Sequence, residues 1–203
     1  MIQNDPNSSA TNTREPLDAP AISGSGVAGF LQPERVIRHL NIRPGMVVAD
    51  FGCGSGHFTI PAARAVGGDG KVFAIDVQKQ AIDFIKSLAN LEHLLQVEPI
   101  WADLEAPRGS RLPEAMVDFV IISNILFQAE KKRELLAEAK RILRPGGELA
   151  MIEWDETPFP AGPSPALRIP KSTARTIAEG VGFTMEKEFD AGSHHYGLLF
   201  KKQ

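Results

Sequence analysis

Hydrophobic positions along the chain follow two alternating patterns. Short, nearly continuous apolar runs are typical of strands buried on both faces, and they occur at residues 47–50, 71–77, 96–101, 117–123 and 148–154. Stretches with apolar residues three or four positions apart predict helices, at residues 33–40, 58–65, 80–89, 130–143 and 172–179. This alternation predicts an α/β fold with a mostly parallel sheet and helices on both faces.

The two ends of the chain depart from this alternation. Residues 183–189 and 196–201 are predicted strands separated by the turn sequence Asp190-Ala191-Gly192-Ser193, which favours an antiparallel hairpin at the C-terminal end. Residues 1–25 are rich in Asn, Ser, Thr, Pro and Asp and lack periodicity, so we expect a disordered tail there. The remaining residues, 26–203, are predicted to form a single domain.

Composition narrows the classes of partner. With 22 Lys and Arg against 25 Asp and Glu, the formal net charge is -3, which argues against a nucleic-acid partner or an anionic membrane surface. Cys53 is the single cysteine, so an internal disulfide or a four-cysteine zinc site is excluded, and no metal site is expected. No apolar run approaches the ~20 residues of a membrane span, and no secretory signal is recognisable. We therefore expect a cytoplasmic protein, and the oligomeric state stays open.

The candidate ligand-binding chemistry centres on a glycine-rich turn after the first strand. Asp50-x-Gly52-x-Gly54-x-Gly56 leads into a helix, and glycines in such a turn bring backbone N–H groups close to a ligand. A dinucleotide fingerprint would need a third glycine where His57 or Thr59 stands, which weakens the NAD interpretation. The sequence around Gly70-Lys71 also fails the Walker pattern.

This motif resembles the first motif of the class I S-adenosylmethionine-dependent methyltransferases. Residues 73–77 (FAIDV), 102–104 (ADL), 117–127 and 143–154 (LRPGGELAMIEW) resemble the later motifs of that family, so the resemblance runs from about residue 33 to 154. It is similar above all to the small-molecule branch that includes quinone-biosynthesis C-methyltransferases. The resemblance implies a Rossmann-like seven-stranded sheet with a reversed final hairpin, S-adenosyl-L-methionine as methyl donor and S-adenosylhomocysteine as product.

Polar residues directly after the predicted strands are the candidate cofactor ligands, because ligands of such sheets bind beyond the carboxyl ends of the strands. Asp76 can accept hydrogen bonds from both ribose hydroxyls. Asp103 either accepts a hydrogen bond from an adenine amino group, while Val77 and Leu104 pack on the ring, or only caps the following turn. Asp50 either faces the methionine amino group or orients the glycine loop. The predicted cofactor residues are Asp50, Gly52, Cys53, Gly54, Gly56, Asp76, Val77, Asp103, Leu104, Ser123 and Asn124.

Residues for the acceptor side are less sharply indicated. Phe127, Trp154 and Tyr196 are predicted to line an acceptor pocket, with core packing as the alternative for Phe127 and Trp154. His194 and His195 at the start of the last strand are the predicted catalytic bases, with a solvated turn as the alternative. Glu153, Asp155 and His57 are further base candidates.

Missing motifs make three kinds of acceptor unlikely: the amino groups of adenine or glutamine, C5 of a pyrimidine, and arsenite. Methylation of the last two needs cysteines at the acceptor. Ser123-Asn124-Ile125-Leu126 stands where amino-group methyltransferases carry Asn/Asp-Pro-Pro-Tyr, and Cys53 lies in the cofactor loop, away from the acceptor. The short connection between the fourth and fifth strands favours a small, partly apolar acceptor. The alternatives are a methyltransferase-like protein that binds the cofactor without turnover, and an NAD(P)-dependent oxidoreductase.

Overall fold

The structure, a computed structural model, describes residues 31–160 and 162–203. The expected tail at residues 1–25 lies outside the described residues, and the start of the domain at residue 26 stays a prediction. Five α-helices are present in the described part of the chain: α1 (Pro33–His39), α2 (Thr59–Val66), α3 (Lys79–Leu91), α4 (Lys132–Ile142) and α5 (Lys171–Gly180).

Seven strands form one sheet. Their bounds are β1 (Val47–Phe51), β2 (Lys71–Asp76), β3 (Val97–Trp101), β4 (Val117–Ser123), β5 (Leu143–Trp154), β6 (Phe183–Asp190) and β7 (His195–Lys202). The strand order is β3-β2-β1-β4-β5-β7-β6; β1 to β5 pair in parallel, and β7 pairs antiparallel with both β5 and β6. The predicted mostly parallel sheet with a reversed C-terminal hairpin is therefore confirmed.

Alternate residues of each strand point to opposite faces of the sheet. On β1, Ala49 and Phe51 pack in the larger core under α4 and α5, whereas Val48 packs in the core formed with α1 and α2. Ile82 and Ile85 of α3 pack against Ala74 on the second face. Helices thus cover both faces, as the buried character of the parallel strands predicts.

The fifth strand begins earlier than expected. The prediction ended the preceding helix with the sequence 144–147 and started the strand at Glu148. In the structure Leu143 already pairs with Val117, and the register then shifts so that Glu148 pairs with Phe119. The four intervening residues form an irregularity in the strand, with Gly146 at a φ of 75°.

The order of the strands reverses at β1, which pairs with β2 on one side and with β4 on the other. Such a reversal point opens a crevice beyond the carboxyl ends of the two central strands. None of the helices in the described ranges is long and apolar enough to cross a membrane.

Candidate functional site

The loop between β1 and α2 lies at this crevice and is held open by its glycines. Gly52, Gly54 and Gly56 have φ angles of 73°, 48° and 82°, a region that side chains rarely adopt. A Cβ on Gly54 would meet no heavy atom within 4 Å, whereas one on Gly52 would collide with the Ile125 side chain. The loop is therefore packed against protein at Gly52 and open at Gly54, where a ligand can approach the backbone.

Asp76 at the end of β2 supports the open part of this loop. Its Oδ2 accepts the N–H of Gly54 at 2.9 Å, and its Oδ1 accepts the N–H of Gln78 at 2.8 Å. A carboxylate oxygen can accept more than one hydrogen bond, so both oxygens retain capacity for ligand hydroxyls. Asp76 thus fixes the loop and presents a negative charge at the crevice.

Asp50 is buried at the end of β1 and bonds to the start of α2. The Thr59 hydroxyl donates to its Oδ2 at 2.6 Å. Burial raises the pKa of Asp50 to about 7; the Thr59 hydrogen bond opposes this rise, and the charge of Asp76 adds to it. These contacts fit the loop-orienting role. The contact with a methionine amino group stays a prediction.

Cys53 lies inside the same loop with its side chain buried. Burial, assisted by the charges of Asp50 and Asp76, raises the pKa of the Cys53 thiol well above its usual range. The thiol is therefore protonated and unreactive at neutral pH, which fits a packing role in the loop.

The ends of β2 and β3 form an exposed apolar rim beside Asp76. Val77 is 62% exposed, and the Trp101 indole N–H donates to the Val77 carbonyl oxygen at 2.8 Å. Trp101, itself 54% exposed, was missed by the sequence reasoning; its position two residues before Asp103 was the available signal. A planar ring can pack against this rim.

Asp103 and Leu104 differ in their exposure. Asp103 is exposed, and its Oδ1 accepts the N–H of Glu105 at 2.9 Å, the local turn bond that was its alternative role. Leu104 is buried in the larger core. Of the two residues expected to pack on a ring, Val77 is the accessible one.

The loop after β4 approaches the glycine loop from the other side. Asn124 has a φ of 56°, a conformation that Asn tolerates better than most residues, and its N–H donates to the Ile152 carbonyl at 2.9 Å. Its side-chain Nδ2 contacts His195 Nε2 at 3.2 Å. Ser123 is half-buried at the end of β4. Ser123 and Asn124 thus lie at the carboxyl end of β4, and their contact with the cofactor stays a prediction.

The two adjacent histidines occupy an aromatic cluster at the end of β5. The His195 ring lies 4.3 Å from Trp154, and the His194 ring lies 4.3 Å from Phe159. Burial lowers the pKa of His195 to about 4, so its imidazole is neutral at pH 7. The neutral ring is paired with the Asn124 amide through Nε2.

Two of the other base candidates, Glu153 and Asp155, accept backbone hydrogen bonds. Glu153 is completely buried on the core face of β5, where its Oε1 accepts the N–H of Leu126 at 2.7 Å. The Asp155 carboxylate accepts the N–H of Thr157 at 2.8 Å. His57 lines a surface cleft between α1, α2 and α3. Burial removes Glu153 from contact with any substrate in the crevice, so we drop it as a general base.

Among the predicted pocket residues, Tyr196 is tied to the segment that follows β5. Its hydroxyl donates to the Ile169 carbonyl at 2.9 Å, and burial raises its pKa above the usual range. Phe127 is partly buried against the larger core. Both residues therefore contribute to packing, which was the alternative interpretation for Phe127, and the pocket role of Tyr196 stays a prediction.

Arg168 is a residue that sequence reasoning missed. It is buried, its guanidinium donates to the carbonyls of Pro163, Asp155 and Thr157, and it lies 5.4 Å from the Trp154 ring. These bonds clamp the proline-rich segment over Trp154. No spacing in the sequence indicated this, because the partners are backbone carbonyls.

In the part of the chain that the structure describes, no group of three or more His, Cys, Asp or Glu side chains is arranged to hold a metal ion. The residues brought together at the crevice are an open glycine loop, a carboxylate fixed beneath it and an apolar rim. This combination fits a ligand with a ribose and a planar base.

Comparison with known proteins agrees with this geometry. Residues 48–147 match the family described as "Methyltransferase domain". The chain is 30% identical over 124 residues to the demethylmenaquinone methyltransferase of Bacillus mycoides, covering 61% of this chain and 51% of that protein. It is 37% identical over 107 residues to the ribosomal protein L11 methyltransferase of Vibrio cholerae, covering 53% of this chain and 33% of that protein.

A solved structure extends the likeness beyond the matched core. A S-adenosylmethionine-dependent methyltransferase from Aquifex aeolicus superposes with a TM-score of 0.80 at 26% identity, over 86% of this chain and 91% of that one. The chain spans between a third and a half of the length of the two curated relatives. The resemblance seen in the sequence is confirmed: the chain belongs to the class I S-adenosylmethionine-dependent methyltransferases, whose cofactor is S-adenosylmethionine.

Proposed function

We propose that the protein transfers the methyl group of S-adenosylmethionine to a small, partly apolar acceptor. The observation that carries the proposal is the pairing of Asp76 with the N–H of Gly54 beneath the open face of the glycine loop. This pairing places a carboxylate where the ribose of an adenosyl group would lie when the methionine part follows the loop. Ser123 and Asn124 then border the methionine part from the side of β4.

The remaining binding roles follow from exposure. Val77 offers an accessible apolar surface to the adenine ring, and the exposed Asp103 can accept a hydrogen bond from the adenine amino group. Trp101 holds the Val77 carbonyl and thereby fixes the rim on which the ring packs. Asp50 acts on the cofactor indirectly, by anchoring the first turn of α2 to β1.

The chemistry demands little of the side chains. When bound, the cofactor supplies an activated sulfonium methyl group; the protein must hold the acceptor atom in line with the breaking bond and exclude water. Such positioning contributes up to about 7–11 kcal/mol to lowering a barrier. Trp154, Phe159 and the segment clamped by Arg168 form an apolar wall suited to that task. Phe127 and Tyr196 support the same side by packing.

If the acceptor carries a proton, we assign the proton-accepting role to His194. The half-buried His194 stacks on Phe159 at the apolar wall. His195 is neutral and buried, and its Nε2 is paired with the Asn124 side chain, so we assign His195 to orienting Asn124.

A small acceptor is favoured by the short connection between β4 and β5, which holds α4 and leaves no room for a separate substrate domain. The named activity of the Bacillus mycoides relative makes demethylated quinols the first acceptors to test. The Vibrio cholerae relative acts on a ribosomal protein, but only a third of its length is matched.

Two measurements test the proposal in sequence. Calorimetric titration with S-adenosylhomocysteine, with NAD(H) as the control ligand, must show binding of the former only. A screen of quinols, phenols and amines with isotope-labelled S-adenosylmethionine, read by mass spectrometry, then identifies the methylated product. Binding without any labelled product across the screen would favour a cofactor-binding protein without turnover, and binding of NAD(H) alone would refute the proposal.

A further inference from the structure

Glu153 is a buried carboxyl group that the proposed reaction does not use directly. It is the penultimate residue of β5 and is 0% exposed. Its side chain points to the same face as Met151 and Leu149, into the larger core beneath α4 and α5. A carboxyl group placed there needs hydrogen-bond partners, because burying a polar group without them is costly.

Its hydrogen-bond partner lies in the loop after β4. Oε1 accepts the N–H of Leu126 at 2.7 Å, and Oε2 has no hydrogen-bond partner among the described residues. The N–H groups of Ile125 and Phe127 face the carboxyl group and, with that of Leu126, favour its charged form. Glu153 therefore ties β5 to this loop through Oε1.

The same loop presses on the cofactor loop. The Ile125 side chain occupies the space that a Cβ on Gly52 would need, so the two loops are in direct contact. Asn124, directly before Ile125, is held to β5 through its N–H bond to the Ile152 carbonyl. Two neighbouring residues of β5, Ile152 and Glu153, therefore fix the loop that rests on Gly52.

We propose that Glu153 is a positioning residue that holds the loop 124–128 against Gly52 and so sets the shape of the cofactor site. The inference rests on the proposed function only for the identity of the ligand. The contacts that link Glu153 to the loop, and Ile125 of that loop to Gly52, do not depend on which ligand binds.

The surroundings of Glu153 fix which substitution preserves its bonds. Burial raises the pKa of Glu153 to about 8. The loop N–H groups and the charge of Lys132 on α4 oppose this rise. Tyr196 of β7 is the titratable neighbour of Glu153 on the sheet. At pH 7 the group is therefore mainly a neutral acid with a carbonyl oxygen. Glu153→Gln keeps that oxygen and the shape of the side chain, whereas Glu153→Met keeps the length but removes every acceptor.

The experiment compares these two variants with a matched control. Glu138 is also a buried carboxylate that accepts a backbone N–H, from Ser110 at 3.0 Å, but it lies on α4 away from the loop. For each folded variant, hydrogen–deuterium exchange of the peptide covering 124–128 is measured without ligand, and S-adenosylhomocysteine affinity is measured by calorimetry.

We expect Glu153→Met to speed exchange in 124–128 and to weaken S-adenosylhomocysteine binding by about tenfold or more, since the buried N–H of Leu126 loses its acceptor. Glu153→Gln should restore both properties to within about threefold of the wild type, and Glu138→Met should lower Tm without changing the affinity. Wild-type affinity in Glu153→Met, or an equal loss in Glu138→Met, overturns the inference.

A second variant covers the case in which Glu153→Met does not fold. Ile125→Ala removes the side chain that contacts Gly52 but leaves the bonds of Glu153 in place, and it should weaken S-adenosylhomocysteine binding several-fold. Unchanged affinity in Ile125→Ala would overturn the link between the two loops. If the wild type binds no S-adenosylhomocysteine, the proposed function fails, while the exchange measurement still decides whether Glu153 holds the loop.

Discussion

Replacement of Asp76 by Ala tests the cofactor site most directly. The side chain accepts the N–H groups of Gly54 and Gln78, one on each oxygen, and the remaining lone pairs are available to two ribose hydroxyls. A hydrogen bond to a charged group contributes about 1.5–3 kcal/mol, so losing both ribose bonds costs about 3–6 kcal/mol. At about 1.4 kcal/mol per factor of ten, this is a loss of about 10²–10⁴-fold in affinity for S-adenosylhomocysteine.

Isothermal titration calorimetry measures this loss, and Asp118→Ala is the matched control. Asp118 likewise accepts a backbone N–H, that of Val47 at 2.8 Å, but Val47 begins β1 and lies at the end of the strand opposite to the glycine loop. Asp118→Ala should lower Tm and leave the affinity within about twofold. The reasoning is refuted if Asp76→Ala binds S-adenosylhomocysteine as the wild type does, or if Asp118→Ala loses as much affinity.

Three further outcomes are expected. Gly54→Val should abolish S-adenosylhomocysteine binding in calorimetry by filling the open face of the loop, whereas Gly67→Val, with a similar positive φ and open surroundings, should cost stability but keep binding. Asp50 has a pKa raised to about 7, so the folded state binds its proton more tightly than the unfolded state does. In urea titrations, the free energy of unfolding of the wild type relative to that of Asp50→Asn should therefore fall by up to about 4 kcal/mol between pH 4 and 8. A difference that stays constant over this pH range would contradict this. His194→Ala should lower kcat at least about tenfold with unchanged S-adenosylhomocysteine affinity, and equal kinetics would remove the base role.

The strands and the cofactor loop were predictable because their signals are local. A strand covered on both faces needs a continuous apolar run, and a turn with positive φ angles needs glycine, so both constraints are written into neighbouring residues. Asp76 and Asp103 could be placed because parallel strands end at the same edge of the sheet. Their ligand contacts stay predictions.

The misjudged residues depend on contacts between distant parts of the chain. Glu153 looked like a base because it follows a strand, but the side-chain alternation of β5 turns it into the core. His195 looked like a base because its usual pKa is near neutral, yet packing against Trp154 buries it. Arg168 donates to backbone carbonyl oxygens, which every residue carries. Its contacts therefore cannot be predicted from the residue types in the sequence.

The position of β7 has a consequence for the order in which the molecule assembles. β7 is inserted between β5 and β6 although it follows both in the chain, so β6 has no neighbour in the sheet until β7 has formed. During synthesis, one edge of β5 stays unpaired until residues 155–194 and then β7 have been made, and an unpaired strand edge can pair with other chains. The proposed acceptor wall, in which Trp154 contacts His195, is therefore completed last, after β1 to β5 have been synthesised.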